Sequence, residues 1–181
     1  MALLVTREQF NTYTGNFETG TDIDALKDEI LGAAQEIVVE YLGFDPLSSA
    51  HEDQISGIGF NRLYLFAHPV TLITAVSING SPVDLQEISL HDTYISRAQG
   101  VFPNGVENVS VSYVAGWSAN AIPETIKTTI LQIASLMLQE SGGNIGITGK
   151  SFAENSRTFI NYTNFNKWLH KLDSYRIMRL V

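Results

Sequence analysis

Residues 109–140 read VSVSYVAGWSANAIPETIKTTILQIASLMLQE, and this stretch decides the fold. Val109, Val111 and Tyr113 alternate with Ser110 and Ser112, the period-two pattern of a strand with one buried face. Ala115-Gly116-Trp117 ends the alternation, and a short polar turn leads to Pro123-Glu124. Proline's missing N–H is harmless in a first helical turn, and Glu124 suits the positive end of a helix dipole. The predicted helix over Pro123 to Glu140 is about 27 Å long. Its apolar stripe is Ile126, Ile130, Ile133 and Met137, widened by Leu131, Ala134 and Leu138, with Thr128, Gln132, Ser135 and Gln139 opposite. A strand, a short loop and a proline-started helix form the frame.

Working outward, Thr6 with Gln9 has capping-box spacing and predicts a helical turn over Arg7 to Tyr13. Thr21 reads as the N-cap of a longer helix with the stripe Ile23, Leu26, Ile30, Ala34, Ile37 and Tyr41, stopped by Gly43. Asp28, Glu29, Glu36 and Glu40 make another side of it acidic, either a solvated face or an interface. Phe44 to Phe60 reads as a loop broken by Asp45-Pro46, paired serines and two glycines. Arg62 to Phe66 and Val70 to Ile78 read as strands. Asn79-Gly80 is a hairpin turn, with Val83 to Ile88 expected to return and Tyr94 to Ser96 to complete one antiparallel sheet with the Val109 strand. Strands grouped between helices, rather than alternating with them, predict an α+β class: long helices packed as a small bundle with an inserted antiparallel sheet. The expectation is a single domain, with helices at about 21–43, 123–141 and 164–176, a β subdomain at about 61–116, and a Gly-rich loop at about 142–157. Ser141 to Gly149 holds four glycines and is expected to be mobile in the isolated protein. Ser151 to Phe159 reads as a hairpin or arm. Asn164 reads as the cap of a last helix with the stripe Phe165, Trp168, Leu169, Leu172 and Tyr175.

Composition narrows the function. The 181 residues include no cysteine, so neither disulfides nor thiolate metal sites are available, which suits the cytosol. MALLVTREQF is too short an apolar run for a signal peptide, and no stretch approaches the roughly 20 apolar residues of a membrane span. A net charge of −8 disfavours binding along nucleic-acid phosphates. Residues 1–60 carry eleven acids and two bases, whereas residues 144–181 carry two acids and six bases. Such polarity suits contact between an acidic end and a basic end, within one copy or between copies. His51-Glu52-Asp53 gathers three potential ligands, yet consecutive residues rarely reach one ion, and a solvated loop is the simpler reading. His68 before Pro69 and His91 at an acidic turn read as structural or exposed. Lys150-Ser151 lacks the upstream glycine spacing of a phosphate loop, and there is no G-x-S-x-G elbow. These patterns predict no catalytic, cofactor or metal site. The chemical alternatives are a small hydrolase built on His51-Glu52-Asp53 and a soluble DNA-packaging factor.

The order of segments resembles the head-tail connector (adaptor, or head-completion) proteins of tailed bacteriophages. Asp24 to Gly43 has the form D-x-L-x-x-x-I-x-x-x-A-x-x-x-V-x-x-Y-L-G, and Leu65 to Val70 the form L-x-x-x-P-V. Asn79-Gly80 follows, then V-x-Y-x-A-G-W at Val111 to Trp117 and I-P-E-x-I-K-x-x-I-L-x-I-A-x-L at Ile122 to Leu136. L-x-x-Y-R at Leu172 to Arg176 closes the series, and the sheet marks the variety with a β insertion. The resemblance implies a non-enzymatic virion structural protein without cofactor. Twelve copies are expected in a ring under the portal protein, extending the DNA channel and receiving a tail or stopper protein. DNA passes without sequence-specific binding, no membrane is involved, and assembly takes place in the host cytoplasm. The implied lumen or assembly loop is Gly142, Gly143, Gly146, Gly149, Lys150 and Arg157. The implied interface residues are Glu29, Glu36, Glu40, Tyr175, Arg176 and Arg179.

Overall fold

A computed structural model describes residues 3–141, 149–152, 155–158 and 162–176. In chain order the elements are α1 (Arg7–Thr14), α2 (Thr21–Leu42), β1 (Ser49–Ile55), β2 (Arg62–Tyr64), β3 (Val70–Ile78), β4 (Ser81–Pro82), β5 (Ile88–Leu90), β6 (Tyr94–Arg97), β7 (Val109–Ala115), α3 (Glu124–Ser141), β8 (Gly149–Phe152), β9 (Asn155–Thr158) and α4 (Tyr162–Leu169). Helices and antiparallel strands in these proportions make an α+β fold. The chain divides into two compact units, one of Met1–Leu42 with Pro123–Arg176, the other built from Gly43–Ile122.

The helical unit packs α3 along α2, with α1 against both. The capping box at α1 is present: Thr6 Oγ1 accepts from the Gln9 amide at 3.2 Å and Gln9 Oε1 from the Thr6 amide at 2.8 Å. Phe10, Leu31, Ala34, Val38, Ile126, Ile130, Ile133 and Leu172 fill the core. Of the predicted α3 stripe Ile126, Ile130, Ile133 and Ala134 are buried, whereas Leu131, Met137 and Leu138 are half-buried and Thr129 and Leu136, outside that stripe, are buried. The α2 stripe is rotated from the expected one. Ile23 and Leu26 are exposed, and Lys27, Leu31, Gln35, Val38 and Leu42 are buried with Ile30 and Ala34. Two polar side chains sit inside because each finds partners there. The Lys27 ammonium donates to Asn11 Oδ1 at 2.8 Å, Asn16 O at 3.1 Å and Glu18 O at 2.7 Å, using all three of its protons. Gln35 Oε1 accepts from the Leu4 amide at 2.7 Å. A periodicity that places polar residues outside therefore turns the helix the wrong way.

Two further boundaries differ. Thr21 is the first residue of α2 rather than the residue before it, and Asn164 lies inside α4, which continues as a 3-10 turn over His170–Tyr175. The expected arm after Ser151 is the β8–β9 hairpin, in which Gly149 pairs with Thr158 and Lys150 with Arg157.

The β unit holds two sheets where one was expected. The first has the order β1-β7-β3-β4 and the second β2-β6-β5. Strand β7 is central, running antiparallel to β1 from Ser49↔Ala115 to Ile55↔Val109 and to β3 from Val70↔Ala115 to Ile78↔Val109. Val109, Val111, Tyr113 and Ala115 are buried, as the alternation predicts. Ser49–Ile55 is a strand, not part of a loop. Its sequence SAHEDQI lacks a β-branched run, and the ladder to β7 supplies the order. The Asn79-Gly80 turn forms with φ of 51° and 77°, but only Ser81–Pro82 returns along β3. Asp84 then caps a 3-10 turn, its Oδ1 accepting from the Gln86 amide at 2.9 Å, and Ile88–Leu90 pairs instead with β6. The A-G-W of the sequence signature has a backbone cause. Gly116 sits at φ 103°, and a Cβ there would meet the Leu47 carbonyl at 2.7 Å. Its closeness lets Trp117 N–H donate to Pro46 O at 2.8 Å and Trp117 O accept from Ser48 N–H at 2.9 Å, pinning the entry to β1.

Candidate assembly surfaces

On α2 the solvent side carries Asp22, Leu26, Glu29, Ala33, Glu36 and Glu40, all exposed, at spacings of four, three, four, three and four. That spacing lines them along one seam of the helix. Glu29, Glu36 and Glu40 thus share a face, as expected. Asp28 belongs elsewhere: Arg7 Nε donates to its Oδ1 at 2.9 Å, Arg7 Nη2 meets Oδ2, and Nη1 pairs with Asp24 Oδ2 at 3.0 Å. Hydrogen bonding to Arg7 holds the Asp28 carboxyl below its ordinary range, and the same bond raises Arg7. Among the described residues the seam carboxylates form no ion pair, and the only cation on α2 itself, Lys27, is buried.

The end of the helical unit gathers Tyr41, His170, Asp173 and Arg176. Tyr41 Oη donates to Asp173 Oδ1, His170 Nδ1 lies 3.3 Å from both Tyr41 Oη and Asp173 Oδ2, and the Arg176 guanidinium sits 4.9 Å from the Tyr41 ring centre. The bond from Tyr41 lowers Asp173, and that bond together with partial burial raises Tyr41. Of the expected interface residues here, Arg176 covers Tyr41, Tyr175 is half-buried, and Arg179 lies outside the described residues. Exposed Lys167 and Lys171 add positive charge nearby, with Lys171 Nζ 3.4 Å from Gln132 Oε1. Gly142, Gly143 and Gly146 also lie outside the described residues, while Gly149, Lys150 and Arg157 fall on the β8–β9 hairpin.

In the β unit the His51-Glu52-Asp53 triplet is split by the strand pleat. Glu52 is exposed, whereas His51 and Asp53 are half-buried toward Tyr113. The His51 ring stacks on Tyr113 at 5.3 Å, and its Nε2 lies 3.0 Å from Ser49 Oγ. Tyr113 Oη donates to Asp53 Oδ2, which also accepts from the Phe66 amide at 3.1 Å, and Tyr113 Oη accepts from the Ala67 amide at 3.1 Å. Burial, reinforced by the Asp53 carboxylate, pushes the Tyr113 phenol well above its usual range. This network ties β1 and β7 to the segment between β2 and β3. Among the described residues no three His, Asp or Glu side chains stand close enough to share a metal ion. His68 belongs to an aromatic cluster with Phe44 at 4.7 Å and Trp117 at 6.3 Å, and His91 stacks on Tyr94 at 4.2 Å. Among the described residues no helix is long and apolar enough to cross a membrane.

Sequence reasoning missed one surface. Between Ile58 and Phe66 the side chains of Ile58, Phe60, Asn61, Arg62, Tyr64 and Phe66 are exposed, and within it only Leu63 and Leu65 are buried, alternating with Arg62, Tyr64 and Phe66. Arg62 to Phe66 is legible as an alternating strand, but Ile58 and Phe60 read as part of a loop, and Leu63 and Leu65 lie across the strand from Tyr64 and Phe66, so sequence alone does not say which apolar side is covered.

No family model matches the sequence, and no curated protein matches it. Solved structures do. A chain from the neck of an empty gene transfer agent particle computed with C6 symmetry superposes with a TM-score of 0.62 at 14% identity, over 100% of this chain and 95% of that one. A chain of the virion of a native gene transfer agent particle gives 0.63 at 14% identity, again over 100% and 95%. A chain from the neck of the native particle computed with C12 symmetry gives 0.60 at 14%, over 100% and 94%. End to end, this chain has the fold of chains found in the necks of such particles.

Proposed function

We propose that this protein is a structural subunit of the neck of a phage-like particle: a head-tail connector that forms a ring beneath the portal, extends the DNA channel and receives the tail or a stopper protein. The observation that carries this reading is the full-length likeness to neck chains of gene transfer agent particles, which are themselves computed with C6 and C12 symmetry. The sequence resemblance to connector proteins agrees with it independently of the coordinates. The surfaces suit a ring of copies in a virion. The α2 seam of Glu29, Glu36 and Glu40 offers carboxylates that form no ion pair among the described residues, and the sequence supplies cations at Lys150, Arg157 and Arg176. In the ring, acidic side chains near the lumen repel DNA and let it slide, and the 142–157 segment lies at or near the channel.

No specific observation favours the hydrolase alternative. His51 and Asp53 are engaged with Ser49 and Tyr113 rather than arranged around a reactive group. The test is to mix purified protein with portal rings in EDTA and without nucleotide, and to follow both on a density gradient. Co-migration supports the connector reading. Separate migration, or phosphatase, nuclease or esterase turnover abolished by His51→Ala, contradicts it.

A further inference from the structure

The Ile58–Phe66 stripe, made of β2 and the segments on either side of it, exposes apolar surface where solvated backbone usually carries polar groups. Ile58 is 64% exposed, Phe60 63%, Tyr64 63% and Phe66 40%. Half-exposed side chains of this size leave on the order of 300–400 Å² of apolar surface in water, the scale of a patch that marks an interaction site. The stripe is also held in shape. Gly59 N–H donates to Phe102 O at 2.9 Å, Phe102 N–H to Phe60 O at 2.8 Å, and Gly105 N–H to Gly57 O at 3.1 Å. A Cβ on Gly57 would meet Pro103 O at 2.1 Å, so this zipper needs glycine there. A surface already ordered costs less entropy to bind.

Charge indicates the occupant. From Gln54 to Val83 the single charged residue is Arg62, in the middle of the stripe, stacked over Tyr94 at 5.4 Å and without an ion pair among the described residues. The matching surface is on α2. Its seam places exposed Leu26 and Ala33 between the carboxylates of Asp22, Glu29 and Glu36 and carries no exposed cation. An apolar stripe with one arginine at its centre is complementary to an apolar seam edged by acids.

We propose that the Ile58–Phe66 stripe of one copy packs against the α2 seam of a second copy, with Arg62 meeting Glu29 and Glu36. The two faces differ, so the contact is heterologous and repeats from copy to copy, as ring closure requires. This rests on the ring reading and names the surfaces that close the ring.

The chain has no cysteine, which makes the test direct. A variant carrying both Leu26→Cys and Tyr64→Cys, oxidised mildly, is expected to give a ladder of dimers, trimers and larger species on a denaturing gel. Each single-cysteine variant should give no ladder. Dimers from Tyr64→Cys alone mean that the stripe meets itself and overturn the proposal. Rings visible by electron microscopy with no ladder also overturn it and leave the connector reading standing, whereas neither rings nor ladder removes both. Arg62→Glu is at the surface and should melt like the wild type while weakening assembly about tenfold or more. Adding Glu29→Arg should restore assembly, and failure to restore it counts against the pairing.

Discussion

Ile130 and Ile133 are almost fully enclosed on α3, between α2 and the C-terminal 3-10 turn. Cutting either to Ala removes three carbons and leaves a cavity, with an expected cost of about 2–5 kcal/mol. Thr128→Ala, on the partly exposed side of the helix, should cost far less. Urea unfolding measures both, and equal losses would mean that the buried face is misplaced. Tyr113 gives a pH prediction. Its phenol is raised above the ordinary value of 10.0, so the folded state favours the neutral form. That contribution is fully present below pH 10 and is lost as pH rises toward the folded-state value. Tyr113→Phe should flatten the alkaline loss of stability, while at neutral pH it should destabilise by leaving the Ala67 N–H without its acceptor. An unchanged alkaline slope would contradict the role given to this hydroxyl.

At the scale of elements, Gly116 governs how β7 ends. Because φ is 103° and the Leu47 carbonyl stands where a Cβ would go, Gly116→Ala should destabilise by about 1–3 kcal/mol and loosen the start of β1. Wild-type stability with unchanged exchange at Ser48 and Trp117 amides would show that the close approach is dispensable. The same position explains what could be read in advance. The β7 alternation, the centre of the α3 stripe at Ile126, Ile130 and Ile133, the Thr6 capping box and the Asn79-Gly80 turn are local patterns whose physics lies within a few residues, and each forms as expected. Strand β1 was illegible because its order comes from β7, some sixty residues away, and not from its own propensities. The α2 face was misjudged because Lys27 and Gln35 are satisfied by the α1–α2 connection and by Leu4, partners that periodicity does not show. The acidic seam was visible as Glu29, Glu36 and Glu40. Arg62's stripe was not, because exposure of an apolar strand face depends on which sheet the strand joins.

For the whole molecule, the charge pattern bears on the proposed ring. A chain with net charge −8 repels its own copies, so a ring needs local contacts that overcome the repulsion. In the proposed ring, an apolar stripe crossed by one arginine and an acidic seam would supply such contacts. The most direct measurement of the connector claim is electron microscopy of the purified protein, alone and mixed with portal rings. The account predicts rings of identical subunits with an open central hole, formed by the protein itself or seated coaxially on the portal. Isolated single particles in both samples, with no added density on the portal, would contradict it.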